Sequence, residues 1–138
     1  MKDAIRNLAV MLDCGVNKYG YPLDVFYDLF LSSEVSSQFA QGNPRYLVGL
    51  SGVELADMVV LSSGSPISDK NDGSFNVGSE YWAGWVLAFY QRYSDRSFSF
   101  IQSKGLGIRE IVGMYHPMHE ADLMKFVEVA NGIVDRNR

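Results

Sequence analysis

The stretch from Ser79 to Arg96, SEYWAGWVLAFYQRYSDR, constrains the fold more than any other part of the chain. Ser79 is placed to cap a helix, and Glu80 falls in the first turn, where free N–H groups favour negative charge. Trp82, Val86, Phe89 and Tyr93 stand at i, i+4, i+7 and i+11, one continuous helical face. Tyr81, Trp85, Leu87 and Ala88 cover most of the remainder. A helix that is apolar on nearly every side is an internal one, wrapped by its neighbours. Both tryptophans of the chain lie here. The spacing therefore predicts a buried central helix over 79–96, with the rest of the chain arranged around it.

The 138 residues make one domain, 1–138, long enough for a real core and too short for two. With 47% hydrophobic and 20% charged residues, the composition is that of a globular chain and not of a disordered one. A net charge of -4 argues against a surface built to neutralise phosphates, so nucleic acid is not the expected partner. The single cysteine, Cys14, excludes an intramolecular disulfide and a cysteine-only zinc site. It lies in an apolar helical pattern and reads as a small buried hydrophobe. The N-terminal MKDAIRNLAVMLD has neither an uninterrupted apolar region nor a small-residue cleavage site. No apolar run approaches the about 20 residues that span a bilayer. A cytoplasmic protein without membrane association is expected.

Helices account for the other periodic segments. Asp3 is placed to cap a first helix running to about Tyr19, with Ile5, Leu8, Ala9, Leu12 and Val16 on its apolar face and Gly20 as its stop. Pro22 suits the first turn of a second helix carrying Val25, Phe26, Leu29 and Phe30. A short third helix follows through Phe39, then a turn at Gly42-Asn43-Pro44 and a helical turn or two over 45–50. Ser51 and Glu54 have capping-box spacing for a helix ending near Ser62. Residues 63–78, SGSPISDKNDGSFNVG, change to Ser, Gly, Asp, Asn and Pro, which predicts a flexible loop with a short hairpin around Asn71-Asp72-Gly73 as one option. Two short helices flank the Gly105–Gly107 turn. Pro117 is placed to begin a last long helix whose apolar face is Leu123, Phe126, Val127, Ala130, Ile133 and Val134. The fold class predicted is all-α, seven or so helices and no substantial sheet.

Three constellations could carry function. His116, His119, Glu120 and Asp122 are the only cluster of metal-ligand types, but no HExxH and no distant Cys or His completes it. Behind Pro117, His116 reads as a cap residue and His119 and Glu120 as first-turn polar groups. No cofactor and no catalytic residue is assigned; an enzyme using His116, His119 and Glu120 is the third-ranked reading. The segment 97–114, SFSFIQSKGLGIREIVGM, has two short helices around a glycine turn, as a helix-turn-helix does. It offers only Arg109 where a recognition helix needs several basic or amide side chains. Finally, Tyr90, Arg92, Tyr93 and Arg96 are residue types enriched at protein interfaces. With Arg109, His116 and His119 they form the candidate partner-binding set.

The segments SEYWAGWVLAFYQRYSDRSF (79–98), IVGMYHPMHEAD (111–122) and DAIRNLAVMLDCGVNKYG (3–20) resemble a family of small proteins from Firmicutes-type bacteria. That family has an EYWxGWxLAYYQ core motif, a following SF and an MYxxxHEAD-type segment. This chain departs from the pattern at Arg92, where the family has a further aromatic, which puts a shared role for that position in doubt. Members are encoded near genes for ADP-ribosyltransferase-like toxins. The resemblance implies an antitoxin-like or phage-defence accessory protein. The leading expectation is a non-enzymatic protein-binding module that masks a toxin or effector, its acidic surface suiting a basic toxin or a nucleic-acid- or nucleotide-handling effector as the partner. A small DNA-binding regulator using 97–114 is the alternative.

Overall fold

The computed structural model of the chain describes residues 2–64 and 78–136. Among these residues nine α-helices follow one another and no strand is present. They are α1 (Lys2–Asp13), α2 (Leu23–Ser32), α3 (Glu34–Ala40), α4 (Gly52–Ser62), α5 (Ser79–Ser94), α6 (Phe98–Ser103), α7 (Ile108–Gly113), α8 (Tyr115–Met118) and α9 (Leu123–Arg136). Wider π-type turns over Cys14–Lys18 and Arg45–Gly49 extend α1 and precede α4. The protein is all-α, and α5 lies at the centre of the packing. Of the loop read over 63–78, residues 65–77 lie outside the described residues, and the hairpin read around 71–73 lies wholly outside them.

Local signals set several of the helix ends. Ser51 accepts a hydrogen bond from the Glu54 N–H at 3.1 Å, and the Glu54 carboxylate accepts from the Ser51 N–H at 2.9 Å, so the predicted capping box is formed. Ser97 caps α6 by accepting from the Phe100 N–H at 3.0 Å. Gly20, at φ 76°, stops the extension of α1 in a left-handed conformation that costs glycine little. Asp95 does the same for α5 at φ 57°, its N–H donating to the Gln91 carbonyl at 2.8 Å, so the helix ends at Ser94 and not at Arg96.

The last helix begins later than the sequence suggests. Pro117 does not open it; it sits third in the four-residue α8, where its missing N–H would in any case lie in the unbonded first turn. The chain then turns through His119–Ala121, and the Asp122 carboxylate accepts the Met124 N–H at 2.8 Å to start α9. His116 is therefore not a cap, and His119 and Glu120 are not in a first turn of α9.

One hydrophobic core runs through the helices. Leu8 and Leu12 of α1, Phe26 and Phe30 of α2, Phe39 of α3, Leu55 and Val59 of α4, Val86 and Leu87 of α5, and Phe126 and Val134 of α9 are all at most 2% exposed. Each large side chain so buried contributes about 1.5–3 kcal/mol relative to exposure. The most extensive helix pair is α1 with α5. Here the inward face of α5 differs from the expectation. Its fully buried residues are Ala83, Gly84, Val86, Leu87, Ala88, Tyr90 and Gln91, while Trp82, Trp85 and Phe89 are half-buried and Tyr93 is 55% exposed. Small residues let the backbones of α1 and α5 approach, and the helix is turned so that its bulkiest rings lie at its flank. Gln91 fastens the far end, its amide nitrogen donating to the Ala40 carbonyl at 3.2 Å and the Arg96 carbonyl at 3.1 Å.

Candidate partner-binding surface

Turning α5 in this way places Tyr81, Trp85, Phe89 and Tyr93 at i, i+4, i+8 and i+12 along its outer side. Residues four apart on a helix are surface neighbours. The four rings accordingly form two stacked pairs, Tyr81 with Trp85 at 6.3 Å and 26°, and Phe89 with Tyr93 at 6.4 Å and 17°. At 1.5 Å rise per residue the stripe is about 18 Å long.

At its N-terminal end the stripe deepens into a groove. Trp82 stands edge-on to Tyr115 of α8 and to Phe126 of α9, both at 5.8 Å. His119 stacks on Tyr115 at 4.4 Å and 19°. Gly78, Tyr81, Trp82, Trp85, Tyr115 and His119 line a concavity of about 350 Å³. The His119 Nδ1 lies 2.8 Å from the Tyr115 carbonyl, which can only accept, so Nδ1 carries the proton. Nε2 is left 3.9 Å from the Glu120 carboxylate. Among the described residues, cations stand over Tyr19, Tyr46 and Phe100, and none stands over a ring of this groove.

Beneath the start of α5 lies a small polar cluster. The Asn17 amide donates to Asp13 at 2.6 Å and to Glu80 at 3.3 Å, and the Ser79 hydroxyl donates to Glu80. Asp13 is fully buried and its second carboxylate oxygen has no hydrogen-bond partner. Burial pushes its pKa above the ordinary aspartate value; the Asn17 bond opposes this and the nearby Glu80 charge adds to it. The neighbouring Cys14 thiol is pushed up to about 11, chiefly by burial.

The residues singled out from the sequence fall in different places. Tyr93 belongs to the stripe and His119 to the groove, and His116 is exposed beside Tyr115 at 5.4 Å. Tyr90 is fully buried, its hydroxyl donating to Asn131 at 2.7 Å, and is not a surface residue. Arg92 donates to the Phe39 and Ala40 carbonyls at the end of α3, at 3.3 and 3.5 Å. Arg96 pairs with Asp135 at 3.3 Å and lies over Phe100. Arg109 pairs with Asp24 of α2, so the second helix of the 97–114 pair presents no free cation. Among the described residues no group of three or more His, Cys, Asp or Glu side chains is placed to hold a metal ion. No helix of the described residues is long and apolar enough to cross a membrane.

Sequence reasoning passed over Tyr81, Trp82, Trp85, Phe89 and Tyr115 as surface residues. The signal was present as an aromatic at every fourth position of 81–93. Compared with protein-family models, curated proteins and solved structures, the chain matches none.

Proposed function

We propose that the protein is a non-enzymatic protein-binding module that engages its partner through the Tyr81–Tyr93 stripe and the groove beside it. The observation that carries this reading is a row of stacked aromatics held half-exposed on a rigid central helix. Tyrosine and tryptophan supply large contact area at little conformational cost and dominate the energetic centres of interfaces. The open ring faces and the acidic charge of the chain suit a basic partner, through cation–π contact and electrostatic complementarity. The antitoxin-like role, in which the partner is a toxin or effector masked by this surface, is supported by the sequence resemblance alone.

The test is an affinity capture of the tagged protein from its native host, run in parallel with a Trp85→Ala/Tyr93→Ala variant and with nucleic-acid staining of the eluate. One stoichiometric protein retained at moderate salt by the wild type and lost by the variant supports the module. Recovery of salt-sensitive duplex DNA instead, or of the same protein by both forms, defeats it.

A further inference from the structure

A second cavity, away from the aromatic groove, lies where α2 meets the turn between α6 and α7. It has a volume of about 390 Å³, in the range of small-molecule sites, and its polar lining is Asp24, Tyr27, Asp28, Gln102, Arg109 and Glu110. Tyr27 is 2% exposed, and its ring is packed at 5.7 Å against Phe30. Its hydroxyl is nonetheless without a hydrogen-bond partner, and so is the buried amide oxygen of Gln102. Buried polar atoms are nearly always satisfied, and an orphan costs free energy that a bound group can recover. Two orphans carried by residues that line one cavity therefore point to a ligand.

The charge around them says which kind. Asp24 is neutralised by Arg109, and one Glu110 oxygen accepts the Gly107 N–H at 2.9 Å. Asp28 makes no ion pair among the described residues. The excess is thus negative, and the unsatisfied atoms are oxygens. The carboxylates are not gathered as a metal site, since no such group of three exists among the described residues. Acceptors and negative charge spread around a cavity suit a ligand whose N–H donors and positive charge are spread as well.

We propose that this cavity binds a small free aliphatic polycation, a diamine or an alkylguanidine, whose N–H groups donate to Tyr27 and Gln102 and whose charge faces Asp28. Burial and the Asp28 charge raise the Tyr27 pKa, which keeps the phenol neutral.

The experiment is a titration of the whole protein with putrescine, spermidine and agmatine, read by calorimetry and by thermal unfolding, with butane-1,4-diol as the neutral control. Saturable one-to-one binding of at least one cation, an accompanying rise in Tm and no response to the diol are expected. Tyr27→Phe keeps the ring packing and removes the oxygen; it should unfold no more easily than wild type yet bind the cation about tenfold more weakly. Asp28→Asn should weaken binding by a similar factor. No binding of any of the three at millimolar concentration, or equal affinity in both variants, overturns the proposal. Tighter binding of Nα-acetyl-lysinamide than of the three cations would place the charge on a protein side chain and overturn it too.

Discussion

Gly84 of α5 lies against Ala9 of α1 so closely that a Cβ added at residue 84 would stand 2.7 Å from the Ala9 Cα and 2.9 Å from the Leu8 carbonyl oxygen. Both are backbone atoms, so neither can swing aside. The Gly84→Ala change gains about 1 kcal/mol of helix propensity. It also forces apart the most extensive helix pair of the fold, an overpacking that costs about 1–3 kcal/mol. The variant is expected to be less stable than wild type, with a lower urea midpoint at unchanged slope.

Tyr90 and Tyr93 are three residues apart and differ in burial, the first lying in the core and the second open to solvent. Tyr90→Phe removes a buried hydrogen bond to Asn131 and is expected to cost about 0.5–1.5 kcal/mol of stability while leaving partner capture intact. Tyr93→Ala acts on a ring that is 55% exposed and should leave the urea midpoint nearly unchanged while weakening capture. Denaturation and binding measured side by side on both variants check the pair. The opposite pattern would remove the outer stripe as the interface.

Asp13 gives the stability a pH dependence of definite sign. Its folded-state pKa is raised above the unfolded value of 3.8, so the native state holds this proton more tightly than the unfolded chain does. Its contribution is fully present below 3.8 and is lost as the pH rises through the folded value. Asp13→Asn keeps an acceptor for Asn17 and has no charge to bury. The variant is expected to be more stable than wild type at neutral pH, with the difference shrinking on acidification, as followed by denaturant unfolding across the acidic range.

Cys14 is fully buried and its thiol is raised to about 11, so almost none is thiolate at mildly alkaline pH. An aromatic disulfide reagent is expected to leave the native protein unlabelled over a period in which the denatured protein reacts completely. Rapid labelling of the native form would show that the Cys14–Lys18 turn opens readily.

Much of this architecture is legible in the residues. The capping box at Ser51 and Glu54, the stop at Gly20, the cap at Ser97 and the existence of α5 follow from local chemistry that acts over three or four residues. The facing of α5 does not. Choosing the face with Trp82, Phe89 and Tyr93 assumes that the largest apolar groups are the most buried, whereas a close helix crossing selects the smallest, Gly84, for the contact. Which rule governs depends on Ala9, a residue on another helix, and no period within 79–96 contains that information. The start of α9 is hidden for a similar reason, because Pro117 fits a first turn wherever one occurs and Asp122 supplies the better cap. The groove and the α2–α7 cavity each gather side chains from segments far apart in the chain, so only the assembled fold reveals them.

The α1–α5 crossing has a consequence during biosynthesis. Translation delivers α1, with its buried Ile5, Leu8 and Leu12, well before the helix that packs on it most extensively. Until residues 79–94 have cleared the ribosome, the nascent chain carries this apolar row without its main cover, as a target for holding chaperones or for self-association. A message ending before α5 would encode a fragment with an open seam, prone to aggregation and degradation.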